Sequence, residues 1–232
     1  CTLFPYTTLF RSVAPAPPPR LLAGRRIAVA QDRAFAFIYR ANLELLAAMG
    51  AEVVPFSPLA GAALPAADAL WLPGGYPERH AAALAANDSL KAAIRAHHAA
   101  GRPILAECGG LMYCAETLVD EGGAAHGMLG LLPGRAVMGG RLAGLGLQSL
   151  ALPEGELRGH TFHYSRLEGP AAPDAYTRRR GGSAAEPLYR RGALTATYFH
   201  AYFPSAPQAV ARLLGGPVKP DDSDGPQSAL AG

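Results

Sequence analysis

Residues Pro103–Tyr113 read PILAECGGLMY. A short apolar run, Ile104, Leu105 and Ala106, stops at Glu107-Cys108, and two glycines precede a helix-forming segment. This is the layout of a nucleophile elbow, in which a buried strand delivers one reactive side chain to a tight turn and a helix starts beneath it. Gly109 and Gly110 permit a strained backbone and the close approach of a substrate. A cysteine at a helix N-terminus meets free N–H groups and the positive end of the helix dipole, which favour the thiolate. A buried cysteine packed as a small hydrophobe is the plainer alternative.

Working outward, strand and helix alternate. Arg26–Gln31 reads as a buried strand, Tyr39–Met49 as a helix closed by Gly50, and Glu52–Phe56 and Ala69–Leu72 as further strands. Residues 77–100 form an Ala-rich helical stretch, with a break and a new cap at Asn87-Asp88. Ile104–Glu107 is the fourth strand, and strand-like runs recur at Leu129–Val137, Leu147–Leu152, Leu157–His163 and Leu194–Phe199. The expected fold is α/β, a mostly parallel central sheet with helices on both faces. Ligands of such sheets sit outside the carboxyl ends of the strands. Pro73-Gly74-Gly75-Tyr76, Cys108-Gly109-Gly110 and His200 all fall there.

The 232 residues are 50% hydrophobic and carry a formal charge of +3, enough for one core and no demand for nucleic acid. Arg178–Arg180 reads as a solvated loop. Three cysteines, Cys1, Cys108 and Cys114, show no metal-ligand spacing and fit a reducing, cytoplasmic setting. No apolar run is long enough for a membrane helix, and no metal is expected. Residues 1–12, CTLFPYTTLFRS, differ in composition from the rest and read as a foreign segment. Residues 13–24 read as a Pro-rich linker, 25–214 as the domain and 215–232 as a disordered tail.

A cysteine nucleophile needs a base. Of seven histidines, His97 and His98 read as helix-surface residues, and His80 and His126 lie in polar contexts without a partner. His160 and His163 sit on one strand and are expected to share a face. His200 exits the run Ala196–Phe199 and is the best-placed base, against the alternative of a packed or surface histidine. The N–H groups of Gly75 and Gly109 are candidates for an oxyanion hole, although Gly74-Gly75 also reads as an ordinary strand-to-helix turn.

PGGYPE (Pro73–Glu78), AECGGLMY (Ala106–Tyr113), RGHTFHYS (Arg158–Ser165) and TYFHAYFPS (Thr197–Ser205) together resemble the glutamine amidotransferase domain of the cobyrinic (hydrogenobyrinic) acid a,c-diamide synthases, and Ala30–Leu59 resembles that domain's opening. The likeness covers about Arg25 to Pro204. It implies a flavodoxin-like class I amidotransferase fold and a glutaminase. Cys108 would attack glutamine, His200 would act as base and then acid, and Gly75 and Gly109 would hold the oxyanion. Ammonia would pass to a synthetase domain that uses ATP and Mg²⁺ on a corrinoid carboxylate. His160, His163 and Tyr164 would contact substrate, line an interface or simply pack. A homodimer is admitted. Ni-sirohydrochlorin diamide synthases, cobyric acid synthases and a non-enzymatic redox or binding module are the alternatives.

Two departures stand out. The third catalytic member of many such enzymes, a glutamate two residues past the histidine, is replaced by Tyr202 here, and the corrinoid branch of the family likewise lacks that glutamate; Glu107 and Glu78 are the candidate substitutes. Pro73 stands where the family usually has a first glycine and removes one N–H. No G-x-x-x-x-G-K-[ST] loop occurs, so the chain reads as the ammonia-producing part of a longer enzyme with no cofactor of its own.

Overall fold

The structure, a computed structural model, describes residues 18–61, 63–169 and 172–216. Residues 1–17 and 217–232, which hold the foreign segment, the first five residues of the linker and most of the tail, lie outside the described residues. In chain order the first part comprises β1 (Arg26–Ala30), α1 (Arg40–Ala48), β2 (Glu52–Phe56), β3 (Ala69–Leu72), α2 (Ala81–Ala86), α3 (Asp88–Ala99), β4 (Ile104–Glu107) and α4 (Gly109–Cys114). Then follow β5 (Ala115–Val119), β6 (Ala125–Gly127), β7 (Leu132–Met138), β8 (Gly144–Leu152), β9 (Gly155–His163) and β10 (Ser165–Glu168). The last are β11 (Ala175–Arg179), β12 (Ala184–Arg191), β13 (Leu194–Thr197), β14 (His200–Tyr202) and α5 (Pro207–Leu213).

A ten-stranded sheet runs β14-β9-β8-β11-β12-β13-β4-β3-β1-β2, and a four-stranded one runs β10-β7-β5-β6. From β13 to β2 every pairing in the large sheet is parallel. From β14 to β13 every pairing is antiparallel. The α/β class is as expected, and the sheet is mixed, with an antiparallel wing beyond β13.

Alternation along the parallel strands explains why both faces are covered. Ala28, Leu70, Leu72, Ile104 and Ala106 pack with Leu84, Leu90, Ile94 and Leu111 of α2, α3 and α4. Their neighbours Ile27, Val29, Trp71 and Leu105 pack with Leu45 and Leu46 of α1 and Val210 of α5. Continuous apolar strands with helices on each side are the signature of a doubly covered parallel sheet. The break expected between two helices is present: the Asn87 side chain accepts from the Leu90 N–H at 3.2 Å and caps α3.

Residues just outside the assigned domain limits pack against it. Leu22, assigned to the linker, is fully buried, and its N–H donates to the Met49 carbonyl at 2.9 Å. Gly215 and Gly216, assigned to the tail, close α5, with Gly216 donating to the Ala211 carbonyl at 2.7 Å. Arg178 and Arg179 lie on β11 and not in a loop. His97 is 5% exposed with its ring against the Pro103 carbonyl, and His98 Nε2 meets the Arg191 carbonyl at 2.7 Å, so neither is a free surface residue. His126 does have a partner, Asp120, at 2.9 Å.

Candidate active site

Cys108 stands between β4 and α4 with φ 47° and ψ −101°, the only non-glycine residue of positive φ among the described residues. Side chains rarely occupy that region without a compensating constraint, and such positions cluster at functional sites. The constraint is visible on both sides. The Cys108 N–H donates to the Thr197 carbonyl of β13 at 2.8 Å. Gly110 lies so close to the end of β3 that a Cβ there would fall 2.0 Å from the Leu72 oxygen. The turn is thus pinned between two parallel strands by backbone contacts, and glycine is required at its second helical position.

The Pro73–Tyr76 turn leaves β3 beside this elbow. A Cβ on Gly109 would lie 3.0 Å from the Gly75 nitrogen, so the two amides assigned to the oxyanion hole are neighbours. Gly75 is itself held by Ala34, whose carbonyl accepts from the Tyr76 N–H at 2.9 Å, while Phe37 N–H donates to the Gly74 carbonyl at 3.0 Å. The imidazole of His200 covers Gly74: a Cβ there would meet its Cε1 at 2.2 Å. Glycines at 74, 75 and 109 therefore allow a histidine, two amides and a cysteine to converge at the ends of β3, β4 and β13.

The electrostatics describe a resting site with both groups neutral. Burial pushes the Cys108 thiol up to about 12, opposed by a hydrogen bond from Gly109 and reinforced by Glu78, Glu107 and Glu186. The Gly109 N–H at the start of α4 favours the thiolate as expected, and desolvation outweighs it. Burial likewise lowers His200 to about 3, with His160 and His163 adding like-charge repulsion. Its Nδ1 is buried without a hydrogen-bond partner among the described residues. No hydrogen bond joins Cys108 to His200 there, a common state of an unliganded site.

Neither carboxylate suggested as third member bonds to His200. Glu107 is buried and accepts from Trp71 Nε1 at 2.9 Å and from the Ala201 N–H at 2.8 Å. It thereby ties β4 to the residue following His200. Glu78 lines the cleft in front of Cys108. What touches the His200 ring is aromatic: Phe37 edge-on with centroids 4.6 Å apart, and His160 stacked at 5.0 Å. Tyr39 hydroxyl meets Nδ1 of His160 at 2.6 Å, and exposed Tyr202 packs edge-on against Tyr39.

His160 and His163 do not share a face. They are three residues apart on β9, an odd separation that strand alternation sends to opposite sides. His160 lies opposite His200 in the β9–β14 ladder. His163 points the other way, to Glu186 and to the face of Tyr198. Together with Tyr164 and Ser165 it lines a cleft of about 590 Å³ that also holds Cys108, Gly75 and Glu78, a volume suited to a small ligand. Glu186 had no sequence signal, since it reaches the site only through the antiparallel wing. No cluster of three or more His, Cys, Asp or Glu placed to hold a metal occurs among the described residues.

The family model described as a CobB/CobQ-like glutamine amidotransferase domain matches residues 26–208. The cobyrinate a,c-diamide synthase of Herminiimonas arsenicoxydans is 53% identical over 210 residues, 90% of this chain and 48% of that protein. The hydrogenobyrinate a,c-diamide synthase of Stutzerimonas stutzeri is 58% identical over 200 residues, 84% of this chain and 45% of that protein. The chain therefore spans about half the length of the curated relatives it matches. Among solved structures, a glutamine amidotransferase superposes with a TM-score of 0.59 at 21% identity, covering 81% of this chain and 96% of that one, a likeness of fold.

Proposed function

Since the chain belongs to the family of CobB/CobQ-like glutamine amidotransferase domains, we propose that it hydrolyses glutamine at Cys108 and supplies ammonia to a corrinoid a,c-diamide synthase. The observation that carries the reading is the convergence of a strained, buried cysteine, two neighbouring glycine amides and the His200 ring at the ends of three strands.

The chemistry follows from that arrangement. Glutamine enters the cleft and its amide carbon meets Sγ of Cys108. As the C–S bond forms, the thiol proton passes to His200, which is neutral at physiological pH and able to accept it. The amide oxygen becomes an oxyanion received by the N–H groups of Gly75 and Gly109. Collapse breaks the C–N bond, and the nitrogen leaves as ammonia with the proton from His200. Water then attacks the thioester, losing a proton to His200, and glutamate departs with the thiol restored. The resting pair is a neutral thiol and a neutral imidazole, so the proton moves from sulfur to His200 during the attack. A redox-sensor role fits poorly, because sensors need an accessible thiolate and this thiol is 6% exposed.

In the whole protein the ammonia would convert two carboxylates of a cobyrinate-type corrinoid to amides with ATP and Mg²⁺. None of the residues of this chain forms a phosphate-binding G-x-x-x-x-G-K-[ST] loop, so we assign neither group to it. A cytoplasmic location belongs to the same proposal; among the described residues no helix is long and apolar enough to cross a membrane.

The test is glutamate release from glutamine, with covalent capture of 6-diazo-5-oxo-L-norleucine read by mass spectrometry. Wild type should add one label at Cys108, and Cys108→Ala should add none. Labelling elsewhere, or glutamate release unchanged in Cys108→Ala, would refute the assignment.

A further inference from the structure

Behind the cleft lies a buried ion-pair geometry that the glutaminase chemistry does not use. His163 and Glu186 are 7% exposed each, and Nε2 of the imidazole meets Oε2 of the carboxylate at 3.1 Å. Nδ1 meets the Ser165 carbonyl at 2.8 Å. A carbonyl can only accept, so Nδ1 carries a hydrogen and donates to Ser165, while Nε2 faces Glu186. Both nitrogens are committed, which removes His163 from the list of bases.

The surroundings are built around this pair. A Cβ on Gly144, the β8 residue opposite His163, would fall 2.4 Å from His163 Nε2 and 2.5 Å from Glu186 Oε1, so glycine leaves the space that the pair fills. The ring stacks on Tyr198 with centroids 4.0 Å apart and planes 8° from parallel. Glu186 is anchored in turn, its N–H donating to Thr177 Oγ1 at 2.7 Å. On the cleft side, Ser165 Oγ donates to Sδ of Met112 in α4, and the Tyr164 carbonyl accepts from Gly139 N–H. A contact chain thus runs from β12 through the imidazole to the Tyr164-Ser165 corner and on to the helix that carries Cys108.

We propose that His163 is a positioning residue for glutamine: backed by Glu186, it holds the Tyr164-Ser165 corner as the cleft wall facing Cys108. The inference rests on the glutaminase reading above. A wall that places the substrate acts on binding of the whole amino acid, while the attack itself depends on Cys108, His200 and the two amides. Asparagine at 163 can reproduce the Nδ1–H donor to Ser165, whereas glutamine reproduces the Nε2 side and abandons the corner.

The experiment measures inactivation by 6-diazo-5-oxo-L-norleucine, separating KI from kinact, in wild type, His163→Asn, His163→Gln, Glu186→Gln and Glu186→Leu. KI should rise about tenfold in His163→Gln and Glu186→Leu and stay within about threefold in His163→Asn and Glu186→Gln, with kinact near wild type throughout. Thermal melts and alkylation of Cys108 by iodoacetamide report whether each variant is folded. Equal KI in His163→Asn and His163→Gln, or losses confined to kinact, would overturn the proposal. If Glu186→Leu fails to fold, the His163 comparison decides alone. Absence of Cys108 labelling in wild type removes the glutaminase reading and this inference with it.

Discussion

At the scale of single residues, two buried groups titrate against each other. Glu107 is raised by burial from 4.5 to about 7, against hydrogen bonds from Ala201 and Trp71. The fold binds its proton more tightly than the unfolded chain does. Its contribution is therefore complete below pH 4.5 and is lost as pH rises to about 7, a change of about 3 kcal/mol at about 1.4 kcal/mol per pKa unit. His200 runs oppositely: lowered from 6.5 to about 3, its stabilising neutral form is complete above pH 6.5 and is lost as pH falls toward 3. Between pH 4.5 and 6.5 the two slopes oppose. Urea unfolding of Glu107→Gln should show stability rising with pH across that window, and His200→Asn should show it falling. Equal slopes in both variants would contradict this account. Below pH 4.5, Glu107→Gln should also lose about 1–3 kcal/mol, because its two donors, Trp71 Nε1–H and Ala201 N–H, then face one oxygen and one amide nitrogen, and this deficit should shrink as pH rises toward 7. Cys108 adds a kinetic expectation: with a thiol pushed up to about 12, iodoacetamide should alkylate it far more slowly at pH 8 than it alkylates free cysteine, measured by mass shift.

At the scale of elements, the elbow depends on α4 sitting against β3. Gly110→Ala must displace α4, since the new Cβ would lie 2.0 Å from Leu72 O and 2.7 Å from its carbonyl carbon. The expected loss is about 1–3 kcal/mol in chemical denaturation, together with capture of the glutamine analogue at Cys108. Gly101→Ala is the control: its Cβ meets nothing within 4 Å, but φ is +70°, so it should cost about 1 kcal/mol and leave labelling intact. The same contrast explains what the sequence disclosed. Strands β1, β3 and β4 are buried on both faces, and each therefore shows as an apolar run bounded by breakers. Strands β11 and β12 belong to a wing with one wet face; Ala-Tyr-Thr-Arg-Arg buries only Thr177, and no run betrays it. Cys108 stood out because it directly follows β4, and His200 because it ends the apolar run that leaves β13. Glu186 was not, because its meeting with His163 is made by strand pairing across the wing and has no local pattern. The faces of His160 and His163 were a matter of counting: three steps along a strand reverse the side.

At the scale of the whole molecule, the chain spans about half of the relatives it matches, and the proposed division of labour can be tested in a protein of their full length. On that proposal, ammonia made at Cys108 would enter the amidation as a free nucleophile, so the elbow would matter only while glutamine is the nitrogen source. In such a protein, Cys108→Ala should reduce glutamine-supported corrinoid amidation more than about 100-fold, since the nucleophile of covalent catalysis is gone. Amidation supported by ammonium salts should stay within about twofold, because the alanine leaves β4 and the strained turn with less bulk to hold and no new contact. Product formation with each nitrogen source, at saturating ATP and Mg²⁺, provides the measurement. Equal loss with both sources would place Cys108 in the architecture shared by the two halves and not in ammonia production. Retention with both would remove it from the reaction altogether.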